Sequence, residues 1–269
     1  MAPIVTLESV SLRIEGVTIL EEVTAEIPRN ATTFIMGPSG SGKSMLLKCA
    51  AGILPSDTGS VQFEGKDVSK IRDKELRELR RTHGFVFQDA ALWQNITIMQ
   101  NLSLPLQYHH PELSAQEVRR RIDTLVKMLD FQEELSLRPA SLSLGERKIA
   151  SFIRALVLDP EMVFMDEPTT SLDSGAVQKV SDVIERLKGE GKTMLITSHN
   201  SRLASRFADY LIVVDKGRVI AFDTMDGIIT TESARVRRIL ADVLNLSSSY
   251  DTDILELLGN NEGGDPFDL

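Results

Sequence analysis

Gly37-Pro38-Ser39-Gly40-Ser41-Gly42-Lys43-Ser44 is the run whose residue types and spacing could do chemistry most directly. Its glycines let a backbone fold tightly and aim N–H groups at a phosphate. Lys43 can then reach the terminal phosphates, and the Ser44 hydroxyl can ligate a magnesium ion. A Gly/Ser-rich turn ending by chance in Lys-Ser would have the same composition. Context separates the two readings, because the strand-like Thr32–Met36 precedes the run and an apolar helical stretch from Lys43 to about Ala51 follows it. A helix starting there adds its positive end to the anion site. A second candidate is Met162-Val163-Phe164-Met165-Asp166-Glu167, an apolar strand ending in two carboxylates. Asp166 can hold magnesium through water, and Glu167 can polarise an attacking water. Alone, this pattern is an ordinary solvated strand end; downstream of a phosphate loop the two form a phosphoryl-transfer pair.

The elements that must position these groups alternate. Short β-rich runs at Ile4–Val10 and Thr32–Met36 lead into the loop and helix. A turn at Leu54–Gly59 precedes a strand at Ser60–Glu64, an exposed helix over Arg72–Arg81 and a strand at Gly84–Gln88. From Asp89 to about Asp159 the pattern turns helical, with Val118, Ile122, Leu125, Val126 and Leu129 on one face and Ser114/Glu117 spaced as a capping box. Alternation then resumes, with strands at Met162–Met165, Thr193–Ser198 and Tyr210–Asp215 and a helix over Val177–Lys188. This order predicts an α/β fold with an inserted helical subdomain over 89–159.

Leu142-Ser143-Leu144-Gly145-Glu146 is where the chain resembles a family. It is similar to the signature loop of ATP-binding cassette (ABC) proteins, and the resemblance spans Ile4 to Asp223. Gln88 stands at the Q-loop position, Ser171-Leu172-Asp173 at the D-loop and His199 at the switch-histidine position. The resemblance implies a P-loop NTPase core with an antiparallel β subdomain, in a cassette over 4–225. It implies ATP and Mg2+ as ligands, held by Gly37 through Ser44 with Gln88 and Asp166 on the metal. It further implies that Glu167, His199, Gln88 and Lys43 act in hydrolysis. Ser143, Gly145, Glu146 and Asp173 would face nucleotide bound by a second ATPase subunit, in a head-to-tail homodimer. Ser143 and Glu146 are also spaced as a capping box, and a helix start can serve both purposes.

Two positions depart from the family pattern. Leu144 replaces a usual glycine, which costs about 1 kcal/mol if the backbone there needs positive φ. Leu12-Arg13-Ile14 supplies no aromatic for an adenine to stack on.

Composition narrows the partners. The 269 residues are 42% hydrophobic with a formal net charge of −9, which argues against a phosphate-tracking surface and hence against nucleic acid as a partner. No apolar run is long enough to span a membrane, and the start lacks a basic segment followed by an apolar core. The expectation is a soluble protein on the cytoplasmic side of the inner membrane, peripheral to a permease. The lone Cys49, among Leu46, Leu47, Ala50 and Ala51, reads as an inert buried hydrophobe. His83, His109 and His110 read as surface or loop residues.

The segment Asp89–Leu106, with Leu92, Trp93, Asn101, Pro105 and Leu106, lies where transporter cassettes receive a helix from an integral membrane permease subunit. It resembles the corresponding stretch in the ATPases of MCE-type phospholipid transport systems, which implies lipid cargo and an MCE-type lipid-binding protein as a further partner. Other expectations remain: a cassette for another substrate, or a soluble ABC ATPase acting on DNA or ribosomes. The short interval from Gln88 to Leu142 argues against the long coiled coils of chromosome-maintenance types, and a single cassette against the ribosome-acting types. The region 226–269 is expected to form a helix and an acidic tail. Asp253-Ile254-Leu255-Glu256-Leu257-Leu258 would either clasp another subunit or remain a solvated tail.

Overall fold

The computed structural model describes residues 2–247, with side chains described as far as Ala241. The tail sequence Asp253–Leu258 lies outside the described residues.

Two sheets share the chain. The first is antiparallel, in the order β2-β1-β4-β5, from β1 (Val5–Ile14), β2 (Val17–Ile27), β4 (Thr58–Phe63) and the two-residue β5 (Lys66–Asp67). The second holds β3 (Thr32–Met36), β6 (His83–Val86), β7 (Met162–Asp166), β8 (Thr193–Thr197), β9 (Tyr210–Asp215) and β10 (Arg218–Thr224), in the order β10-β9-β3-β8-β7-β6. All its pairings are parallel except β10 with β9. Strands β3, β7 and β8 are buried at every position, as parallel strands covered on both faces must be.

Period-two alternation divides these strands between two cores. Ile35, Met162, Phe164 and Leu195 face the antiparallel sheet and α1 (Lys43–Ala50), packing with Leu7, Leu20, Leu46 and Leu47. Phe34, Met36, Val163, Met165, Met194 and Ile196 face the other way, toward the helices. That second core is completed by α3 (Ile98–His109), α4 (Ala115–Met128), α5 (Leu144–Leu156) and α6 (Ser174–Gly189). The α7 helix (Ser201–Phe207) joins it, as do α8 (Met225–Ile229) and α9 (Ala234–Ser247) through Ile228, Val236, Ile239 and Leu240. The C-terminal helix is thus continuous with the core at its described end. The exposed α2 (Asp73–Thr82) buries no residue, as its charge pattern anticipates.

Several local expectations change. Strand β2 carries so many polar residues that its alternation is hidden in the sequence, and β10 is a short apolar run, Val219–Phe222, with no alternation; pairing with β1 and β9 fixes them. The strand expected to run to Gln88 stops at Val86. Only half of the Ser114/Glu117 capping box forms: Ser114 Oγ accepts from Glu117 N at 3.2 Å, while the Glu117 carboxylate binds Arg120 and Arg121 instead. His83 is a half-buried strand residue rather than a loop or surface one. It begins β6 with its ring 4.5 Å from Phe63 and 5.7 Å from Phe164, and loss of water pushes its pKa down to about 4. Cys49 is fully buried, which raises its pKa to about 11 and leaves it an unreactive thiol. No helix among the described residues is long and apolar enough to cross a membrane.

Candidate nucleotide site

Adjacent strands β3, β8, β7 and β6 run parallel, so their C-terminal ends open on one edge of the sheet. The phosphate loop follows β3, His199 follows β8, Asp166 and Glu167 end β7, and Gln88 follows β6. Register aligns them, since Thr197 pairs with both Ile35 and Asp166 while Val86 pairs with Met165. Ligands of open α/β sheets bind at that edge.

The loop is shaped by close approach. Gly37 has φ +154°, and a Cβ there would lie 2.0 Å from the Val214 carbonyl oxygen. Gly42 (φ +101°) precedes α1, and a Cβ there would meet the Ile19 carbonyl at 2.9 Å. Inside this cradle the buried Ser41 Oγ has no hydrogen-bond partner, and Lys43 Nζ donates to the Gly37 and Pro38 carbonyls at 2.9 Å each. Burial lowers the Lys43 pKa, opposed by the nearby Glu167 and Asp166 carboxylates. An orphaned hydroxyl and an ammonium resting on its own loop suit an incoming phosphate.

The carboxylates are tied into the same edge. Ser44 Oγ donates to Asp166 Oδ1 at 2.7 Å, and Thr197 Oγ1 donates to the same oxygen at 2.8 Å. Glu167 has φ +44°, a left-handed conformation costing a side-chain-bearing residue about 1 kcal/mol or more. Its backbone N–H donates to Thr197 Oγ1, while Oε2 accepts from Thr170 Oγ1 at 3.1 Å and His199 N at 3.3 Å. His199 Nε2 stands 3.1 Å from Oε1, yet that buried oxygen lacks an aligned hydrogen bond and remains open to a further donor. Burial lowers the His199 pKa, with Glu167 opposing and Lys43 reinforcing the shift.

Sequence reading missed Lys148 and Arg154, which hold the segment after β6. Lys148 is 3% exposed, and its Nζ donates to the carbonyls of Phe87 (2.9 Å) and Gln88 (2.6 Å). Burial brings its pKa down to about 8, opposed by Asp89, Asp166 and Glu167. The Arg154 guanidinium donates to Ala91 O (2.6 Å) and Ala90 O (2.9 Å). Strand β6 ends at Val86, immediately before the first of the carbonyls these two cations hold. A cation buried on a helix otherwise facing the core was the available signal. Gln88 itself is exposed and lines a cleft with Ser44, Asp166, Leu144 and Lys148.

The signature residues sit apart in their bonding. Ser143 caps α5 with a full capping box, accepting from Glu146 N at 3.3 Å while its own N–H donates to Glu146 Oε2 at 2.7 Å. Asp173 caps α6, accepting from Ala176 N at 2.8 Å. The two helix starts touch, since a Cβ on Gly145 would lie 3.2 Å from the Ala176 Cβ. Leu144 is the first residue of α5 and is absent from the described residues with positive φ, so the backbone cost expected for it does not arise. Its side chain is 58% exposed.

A phosphate loop after one parallel strand, paired with a carboxylate and a histidine after its neighbours, defines a P-loop nucleotide hydrolase. The chain matches the ABC transporter family over residues 20–170 and belongs to it as an ATP-binding ATPase. It is 30% identical to the probable ribonucleotide transport ATP-binding protein mkl of Mycobacterium leprae, covering 86% of this chain and 69% of that protein. Against the intermembrane phospholipid transport system ATP-binding protein MlaF of Haemophilus influenzae it is also 30% identical, over 82% of this chain and 84% of that protein. Among solved structures, the dimeric bacterial ABC transporter cassette MJ0796 superposes with a TM-score of 0.76 at 30% identity, over 82% of this chain and 98% of that one. The same cassette is known as a dimer bound to ADP and Pi, which matches at a TM-score of 0.76 and 29% identity.

Proposed function

We propose that this chain hydrolyses ATP with Mg2+ between its own Gly37–Ser44 loop and the Ser143–Glu146 helix start of a second copy, and so drives a membrane permease that moves phospholipid. The observation that carries the catalytic half is the contact chain Ser44–Asp166–Thr197–Glu167–His199, closed by bonds of 2.7 to 3.3 Å. Ser44 and Asp166 present hard oxygens side by side, a donor set that suits Mg2+ supplemented by phosphate oxygens and Gln88. Among the described residues no three His, Cys, Asp or Glu side chains cluster to hold a metal unaided. Bound Mg2+ supplies charge neutralisation to the β- and γ-phosphates.

The protein's own groups do the rest. Gly37–Gly42 N–H groups and Ser41 Oγ orient the phosphates, and Lys43 shifts from its loop carbonyls to the terminal phosphate oxygens. Glu167 Oε1, open to one more donor, holds the attacking water and draws its proton as the new P–O bond forms and the bond to ADP breaks. His199, fixed against Glu167, completes the placement of that water. Ser143 Oγ uses its acceptor capacity within its own cap, leaving its O–H to donate to a partner's γ-phosphate; the α5 N-terminus adds its dipole. The dimeric relatives support this arrangement.

The permease half rests on Trp93 (63% exposed) and the likewise exposed Leu104 and Tyr108, of which Trp93 and Leu104 border a cavity of about 380 Å³ with Phe85, Phe87 and Pro105. Such an exposed apolar cluster beside Gln88 suits an apolar helix of a membrane subunit, keeping this chain peripheral on the cytoplasmic face. MlaF's description favours phospholipid; the descriptions of mkl and of the methionine import ATP-binding protein MetN of Campylobacter jejuni, 26% identical, name the rival cargoes, ribonucleotide and methionine. Glu167→Gln tests the catalytic reading: hydrolysis should fall at least about 100-fold with ATP binding intact. Normal turnover would remove Glu167 from its role. Co-purification from membranes with a permease and an MCE-type lipid-binding component tests the cargo; recovery with an amino-acid permease would replace it.

A further inference from the structure

Between the end of β6 and the start of α3, the main chain is held by side chains rather than by a sheet or helix. Lys148 takes the carbonyls of Phe87 and Gln88, and Arg154 those of Ala90 and Ala91. Further along, the fully buried Asn101 accepts from Trp93 N at 2.8 Å and donates to Trp93 O at 3.1 Å. Ala90 (φ +64°) and Ala91 (φ +46°) are both left-handed, a conformation that two alanines hold only when their surroundings fix it. Bonds from cations to carbonyls are the strong kind, and Lys148 is screened from water. Both cations project from α5, the helix whose first turn carries Ser143 and Gly145.

We propose that Lys148 and Arg154 are positioning residues that lock residues 87–91 into one bracket riding on α5, with Trp93, tied to Asn101 of α3, as its next link, so that Gln88, Trp93 and the Ser143 helix start move as a unit. This rests on the nucleotide reading above, in which Gln88 meets Mg2+ at the cleft it shares with Ser44 and Asp166. The consequence is directional. A change at Gln88 on Mg-ATP binding is carried to Trp93 instead of being absorbed in a loop, and α5 is displaced with it.

Trp93 is the single tryptophan of the chain and stands exposed just beyond the bracket, so it reports on the coupling without a label. Its emission should change when Mg-ATP is added to the purified protein and change less with ATP plus chelator. Lys148→Met keeps the side-chain length and removes the donor. In that variant ATP binding without metal should stay within about twofold, the Mg2+ concentration for half-maximal hydrolysis should rise about tenfold, and the Trp93 response should be lost. Lys148→Arg, which restores a cation, should recover most of both. Arg154→Met should abolish the Trp93 response with a smaller effect on Mg2+ dependence, because it holds the bracket farther from Gln88.

A purely packing role for these cations would lower the melting temperature while leaving Mg2+ dependence and the Trp93 response of the folded protein unchanged; that result overturns the proposal. So does a wild-type protein that hydrolyses ATP with a Trp93 signal indifferent to Mg-ATP, a test that needs no variant to fold. A wild type that neither binds nor hydrolyses ATP would instead overturn the nucleotide reading itself.

Discussion

The two halves of the candidate site are built in opposite ways. The phosphate-loop half is a sheet edge, where parallel strands deliver Ser44, Asp166, Glu167 and His199 to within hydrogen-bonding reach of one another. The signature half is a pair of helix starts whose polar groups are satisfied by their own caps, with Leu144 turned to solvent. A sheet edge can be finished within one chain because neighbouring strands supply all its parts. A capped helix N-terminus has a dipole and a free hydroxyl proton but no anion of its own to act on. On the proposed reading, the chain completes the first half alone and the second half acts on nucleotide held by another copy.

Breaking the first half should have the larger consequences. Gly37→Ala places a methyl group within 2.0 Å of a backbone carbonyl, so ATP binding should be lost in calorimetry and stability should fall by about 3 kcal/mol. Unimpaired binding would mean the loop relaxes freely.

The next effect tests how firmly that sheet is sealed. His83 is held neutral among Phe63 and Phe164 with its pKa lowered to about 4, whereas the unfolded chain protonates near the ordinary 6.5. Between those values the unfolded state binds the extra proton, so stability present at neutral pH is lost as pH falls through that window, by about 3 kcal/mol. Urea titrations of the wild type and His83→Phe should diverge below pH 6.5; parallel curves would show that water reaches the ring.

Effects on the second half should be smaller and confined to the assembled enzyme. Ser143→Ala removes the α5 cap, costing about 1 kcal/mol of stability. It should also slow hydrolysis about tenfold without changing ATP affinity in dilute monomer. A loss of monomer affinity would place Ser143 in the wrong half. Leu144→Gly is the mildest change, costing about 0.5 to 1 kcal/mol as a helix residue while altering the hydrolysis rate through the bulk removed from the interface. An unchanged rate would make Leu144 a neutral difference.

Much of this contrast was legible without coordinates. The strand–loop–helix order around Gly37–Ser44 and the carboxylates ending Met162–Asp166 are local patterns, written in residue type and spacing, and the structure places them where those patterns imply. The Ser143/Glu146 capping box was legible for the same reason. What escaped were features made by distant parts of the chain. Strand β2 becomes a strand through β1, His83 becomes a half-buried ring packed on Phe63 and Phe164, and Leu144 escapes backbone strain because α5 begins on it.

The sequence by itself determined the chemistry, because a phosphate loop, a carboxylate pair and a capped helix are each defined by residues close together along the chain. Only the tertiary structure decided what joins them. Lys148 and Arg154 lie some sixty positions from the carbonyls they hold, and main-chain acceptors carry no side-chain signature. No spacing rule pairs a helix cation with another segment's backbone; folding α5 against the end of β6 does.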